Sequence, residues 1–169
     1  LIYLKDNTSG VDTQIQLIQK YLYNKLVSMY NCEIHGYGRV YKDGNKSVSK
    51  PIAYIGNGRY KELLFDSKIK GLHFFFIVND ESISVKNSNL SNYQVELIIF
   101  VNDITKIKQG AIHYADEEIK EDIKNIVSPY LRPDTVVKGE KALEGFDISK
   151  LQFIYPFFVF KIKSKLNNI

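Results

Sequence analysis

The stretch His73-Phe74-Phe75-Phe76-Ile77-Val78 is a continuous apolar run of strand length. A second run, Tyr93-Gln94-Val95-Glu96-Leu97-Ile98-Ile99-Phe100-Val101, is also mostly apolar. Successive side chains of a strand point to opposite faces, so a run without alternation implies burial on both faces. Between the two runs, residues 79–92 are polar and rich in Asn and Ser, which predicts a hairpin with a long loop around Ile83 and Val85.

Outward from this hairpin, the clearest element is a helix over Val11–Tyr30. Ile15, Ile18, Leu22, Leu26 and Met29 recur at spacings of three and four and mark one apolar stripe. Ile34–Tyr41 alternates and leads through Lys42-Asp43-Gly44-Asn45, a turn sequence, to a return strand over Val48–Ile55. Pro51 argues that this strand is an edge or is broken. Tyr60–Lys70 reads equally as a short helix or a strand. A second helix is predicted over Tyr114–Val127, with Asp116, Glu117 and Glu118 in its first turn, a buried stripe of Ile119, Ile123 and Ile126, and Pro129 as its stop. Residues 129–148 contain Pro133, Gly139 and Gly145 and read as an extended connection. The last strand is Leu151–Lys163, with Pro156 placing a bulge or an edge there. No repeat or linker divides residues 1–169. The pattern predicts one α+β domain, a mostly antiparallel sheet of four to six strands with two helices packed on one face.

Composition narrows the function. The chain has 169 residues, enough for a core without disulfide or metal staples, and its 44% hydrophobic content is that of a globular protein. The lone Cys32 excludes an intramolecular disulfide framework and points to a reducing compartment or to a particle assembled inside a cell. No apolar segment approaches the roughly 20 residues of a membrane span, and Leu1–Asp6 lacks the features of a signal peptide, so the chain reads as soluble with no membrane partner. The net charge of +4 is modest, and its bases are nearly all Lys; only Arg39, Arg59 and Arg132 are Arg. That bias disfavours bidentate base readout.

Motifs for chemistry are sparse. His35, His73 and His113 fall on unrelated elements, and no H-E-x-x-H or paired Cys and His occurs. Cys32 has no nucleophile context. Gly56-Asn57-Gly58 is a tight turn without the spacing of a phosphate loop. Asp80, Glu81 and Glu96 lie at strand positions a metal-dependent nuclease could use, but no Lys sits two residues after Glu96. Glu118-Ile119-Lys120 has that spacing within an acidic helix. Tyr37, Arg39, Tyr41, Lys42 and Lys46, and the tail Lys161, Lys163 and Lys165, are the nearest to a nucleic-acid surface; a half-exposed antiparallel edge accounts for them better. No catalytic residue, metal ligand or cofactor is assigned.

The order of elements resembles that of the tail-terminator and tail-completion class, small ring proteins of tailed-phage necks and tails. The resemblance lies in an opening amphipathic helix, the hairpin His73–Val78 with Tyr93–Val101, the acidic-start helix Ala115-Asp116-Glu117-Glu118-Ile119 through Val127, and the closing strand. The phrases Tyr93–Asn102 and Tyr155-Pro156-Phe157-Phe158-Val159-Phe160 also carry it. The Ile-, Asn- and Lys-rich composition is similar to that of crAss-like phages. The resemblance implies a non-enzymatic virion subunit, assembled in the host bacterial cytoplasm and closing into a sixfold or, preferentially, twelvefold ring. It implies contacts with other neck and tail ring proteins, with the portal as a further neighbour, and genomic DNA passing through without specific binding. Candidate contacts are Ile83, Val85, Lys86 and Asn89 on the hairpin loop, and Arg132, Val136, Lys138 and Lys141 on the connection. The alternatives are a metal-dependent nuclease and a small nucleic-acid-binding module.

Overall fold

From Leu72 to Ile77 every side chain is buried, and the two parities enter different cores. Leu72, Phe74 and Phe76 join one, whereas Phe75 and Ile77 join the other. The computed structural model describes residues 1–44, 48–63, 70–83, 91–108, 114–152 and 157–167, with only the backbone given at 80–83, 91, 92 and 106.

In chain order the elements are α1 (Val11–Met29), β1 (Ile34–Arg39), β2 (Tyr41–Gly44), β3 (Ser49–Gly56), β4 (Arg59–Glu62), β5 (Gly71–Ile83) and β6 (Ser91–Asn102). There follow a single helical turn α2 (Ile104–Ile107), α3 (Ala115–Val127), β7 (Leu131–Lys138), a 3-10 turn over Gly139–Leu143 and β8 (Phe158–Leu166). The protein is α+β. A five-stranded sheet has the order β1-β5-β6-β8-β7, and a small sheet has the order β2-β3-β4. Among the described strands, only β1 runs parallel to its neighbour, β5.

Both long helices cover one face of the large sheet. Ile15, Ile18, Leu22 and Leu26 of α1 and Ile119, Ile123 and Val127 of α3 pack with Val95, Leu97, Ile99, Phe160 and Ile162. The opposite face is covered by the small sheet and the 3-10 turn: Ala53, Ala142, Leu143 and Phe146 meet Phe75, Ile98, Phe100 and Val159. Ser49 ties this layer together. Its N–H and its hydroxyl both donate to the Gly145 carbonyl at 2.9 Å, and its own carbonyl accepts from Asp147 N–H.

The structure corrects several expectations. The stretch Ile34–Tyr41 divides at Val40 between the two sheets, Lys42, Asp43 and Gly44 belong to strand β2 and not to a turn, and the last strand begins at Phe158 and not at Leu151. The segment read as a connection over 129–148 contains β7, which pairs with β8 from Leu131↔Leu166 to Lys138↔Phe160. Pro133 and a bulge at Asp134 obscure its alternation in the sequence, and both suit an edge strand. β3, although it contains Pro51, is the central strand of the small sheet. Leu63 N–H donates to the Pro51 carbonyl at 2.8 Å, and the return bond proline cannot make falls where the ladder with β4 ends. The hairpin loop over 79–92 is shorter than expected, because β5 and β6 stay paired as far as Ile83↔Ser91. Backbone pairing needs no apolar side chains, so polar residues hid it. Tyr60–Lys70 begins as strand β4 to Glu62, and residues 64–69 and Pro156 lie outside the described residues.

Two glycines are demanded by close approach. A Cβ on Gly36 would lie 2.6 Å from Phe74 Cζ, whose ring crosses that position. Gly71 has φ +94°, and a Cβ there would lie 2.2 Å from the Glu33 carbonyl oxygen, which accepts the Leu72 N–H. Gln19, 1% exposed, donates to the carbonyls of Tyr3 at 2.8 Å and Gly36 at 3.0 Å, and so fastens α1 to the sheet edge. Gly36→Ala is expected to destabilise the fold by about 1–3 kcal/mol in urea unfolding, through overpacking against Phe74. Adding Phe74→Leu should recover part of that loss, because the smaller side chain vacates the contact. A double variant no better than the sum of the single ones would show that the ring is not the obstacle.

Candidate functional site

The covering layer of small sheet and 3-10 turn leaves one end of the large sheet open. Register assigns its residues to rows. On the face opposite the helices, Ile98, Lys161 and Val137 form one row, Glu96, Lys163 and Thr135 the next, and Gln94, Lys165 and Arg132 the last. The same parity that buries Val159 therefore carries Lys161, Lys163 and Lys165 outward along β8, from buried to exposed. Lys161 is 10% exposed at its side chain and lies 3.4 Å from Glu96, itself 13% exposed. A groove of about 420 Å³, lined by Asn79, Gln94, Glu96, Asp134, Thr135, Lys163 and Ser164, runs along this end.

The β5–β6 hairpin leaves the sheet at the same end. β8 last pairs with β6 at Gln94↔Lys165, and β1 last pairs with β5 at Arg39↔Phe76. Beyond these points no described strand flanks Asn79–Ile83 or Ser91–Tyr93. At the exit, Val78↔Val95 is followed by Glu81↔Tyr93, so two residues of β5 oppose one of β6. That bulge bends and twists the hairpin as it departs. Residues 79–83 alone extend it by roughly 16 Å at about 3.3 Å per residue.

Two further constellations lie elsewhere. Stacked rings cross the sheet: His35 and His73 have centroids 4.5 Å apart, and His73 and Phe100 are 4.7 Å apart. Sequence reading missed this pair of histidines, because only the parallel register His35↔His73 brings them together. His35 Nε2 is 2.6 Å from Glu33 Oε1, and its buried Nδ1 has no partner. Burial, with His35 alongside, pulls the His73 pKa down to about 4. The hydrogen bond from His35 holds the exposed Glu33 carboxyl below its ordinary range. The second constellation is a cleft of about 190 Å³ between α1 and the small sheet, lined by Tyr3, Tyr41, Tyr54 and Tyr60. In its wall, Arg39 donates twice to Asp12, at 2.5 and 2.8 Å.

The predicted contacts whose side chains are described do not share one surface. Ile83 pairs with Ser91 near the end of the described hairpin, and Val85, Lys86 and Asn89 lie outside the described residues. Arg132 is exposed on the open face. Val136 instead packs against the helix-side core. Lys138 reaches the helix side too, where it pairs with Glu117 of α3. Lys141 lies in the 3-10 turn, beside a cavity lined by Glu140, Leu143 and Phe146. The alternation of β7 separates Arg132 from Val136 and Lys138, and the sequence did not reveal that strand. Of the nuclease candidates, Glu96 is tied to Lys161, Asp80 is given only as backbone, and Lys120 pairs with Glu117 and Glu121. Burial pushes the Cys32 thiol pKa up, which disfavours the nucleophilic thiolate. His113 lies outside the described residues. Among the described residues, no group of three His, Cys, Asp or Glu could hold a metal ion. No family model, no curated protein and no solved structure matches the chain.

His73 makes stability depend on pH. Its folded pKa lies below the unfolded value of about 6.5, so between pH 6.5 and 4 the unfolded chain binds the extra proton. This contribution is complete above pH 6.5 and falls as pH drops toward 4, by up to about 3 kcal/mol. Chemical denaturation at several pH values should show the slope, and His73→Phe should flatten it within that window.

Proposed function

We propose that the protein is a structural assembly subunit, one that closes into a ring in the neck or tail of a tailed phage. The observation that supports this most is the hairpin that departs from the sheet at a bulge. A two-stranded ribbon without flanking strands is marginal in water, and it gains most from docking on a neighbour. Head-to-tail contact, in which the arm of one copy meets a different surface of the next, closes a ring when the rotation between copies allows it.

The edges of the large sheet favour arm-mediated contact over edge-to-edge pairing. β1 is covered by the N-terminal segment through the parallel bridge Ile2↔Gly36. β7 carries Pro133, a bulge and the charged Arg132, Asp134 and Lys138, devices that discourage strand addition. Twelvefold closure is the favoured geometry by resemblance, with sixfold next, and ring proteins above and below as partners.

Native mass spectrometry across a concentration series tests the reading. The expected result is one discrete closed oligomer of six or twelve copies. Replacing 80–92 by a two-residue turn should reduce it to the monomer while leaving circular dichroism and cooperative unfolding intact. A full-length chain that stays monomeric at every concentration and also fails to join isolated phage necks would overturn the proposal.

A further inference from the structure

We infer that the open end of the β6-β8-β7 face binds a polyanion, and that its partner is the phosphate backbone of duplex nucleic acid. The naming of a duplex rests on the assembly reading above; the cationic surface stands on geometry alone.

The argument begins with a like-charge pair. Arg132 and Lys165 are register partners, so they share a face directly across from one another. Opposed like charges on neighbouring strands are destabilising. Lys163 adds a third cation two residues along β8, on the same face. No described ion pair involves Arg132, Lys163 or Lys165. The acids nearest to this surface are Glu96, already held by the buried Lys161, and the bulged Asp134 in the groove beside Lys163. Three exposed cations thus share this face with no ion pair to either acid, an arrangement that an external anion relieves.

A phosphate chain presents its charges in a row, as these cations do. Lys163 and Lys165 stand two strand residues apart, about 6.8 Å, and phosphates recur at a rise of about 3.4 Å along the duplex axis, so a backbone laid along β8 keeps charges within reach of both. Arg132 extends the positive field across the sheet by one inter-strand spacing. The neutral Gln94 and Thr135 beside them add side chains that donate hydrogen bonds to phosphate oxygens. The three-residue set contains two lysines, point charges suited to sequence-independent contact. Among the described residues, no exposed large apolar side chain lies on this surface to insert into a lipid bilayer.

The test is equilibrium binding of the full chain to a short linear duplex of random sequence, from 50 to 200 mM salt. Three phosphate contacts predict a slope of log affinity against log salt near −2.7, about a 40-fold loss over that range. Arg132→Gln with Lys163→Gln and Lys165→Gln should abolish this dependence, and each single change should lower its magnitude by about 0.9. Lys138→Gln, on the opposite face, should leave it unchanged. Thermal unfolding of the triple variant should be unchanged or shifted upward, because like charges have been removed. No duplex binding at 50 mM salt, or an unaltered slope in the triple variant, overturns the inference. So does retention by phosphatidylserine vesicles or polyglutamate that duplex fails to compete away. A chain that stays monomeric, fails to join isolated phage necks and yet binds with the expected slope sinks the ring alone, and a ring without salt-dependent binding sinks this inference alone.

Discussion

Burial of β5 on both faces is the constraint on which the rest of the molecule depends. Phe74 and Phe76 require one covering layer, and Phe75 and Ile77 require another. Each fully buried aromatic contributes on the order of 1.5–3 kcal/mol relative to exposure, so neither side can be left to water. The helices supply the first layer through a stripe of Ile and Leu. On the other side the chain between β1 and β5 folds into β2-β3-β4, and the 3-10 turn completes the cover.

The same constraint explains where the surface is open. The small sheet and the 3-10 turn cover the apolar rows ending at Ile98 and Val159, and β6, β8 and β7 run beyond them. There the residues of the same parity change from apolar to polar or charged: Phe100 gives way to Glu96 and Gln94, and Val159 to Lys163 and Lys165. The alternate residues, Val95, Ile162 and Leu166, stay buried against the helices. One side of each strand therefore serves stability along its full length, and the other becomes available for contact at one end. The bulge at Asn79 and Asp80 sends the hairpin out from that end, so arm and cationic rows lie together.

Within the buried layers, polar groups are placed where a partner exists. Gln19 satisfies two carbonyls at the sheet edge, and Ser164 donates to the Val95 carbonyl at 2.9 Å. The stacked His35 and His73 are less settled, since one ring nitrogen is buried without a partner. Packing holds them: His73 is clamped between His35 and Phe100, and its low pKa keeps it neutral where a charge would be costly.

The sequence by itself determined the elements whose signal is local. The stripe of α1, the unalternating runs of β5 and β6 and the acidic start of α3 each reflect burial within a few neighbouring residues, and with them came the α+β class. It did not determine β7, because Pro133 and the bulge at Asp134 break the two-residue period that would have revealed it. Nor did it assign the faces of the candidate contacts: Arg132, Val136 and Lys138 looked like one loop until strand alternation divided them. The meeting of His35 with His73, and of Arg132 with Lys165, depends on which strands become neighbours and in what register. Tertiary structure decided those, because pairing is fixed by packing between residues far apart in the chain, and no local pattern encodes it.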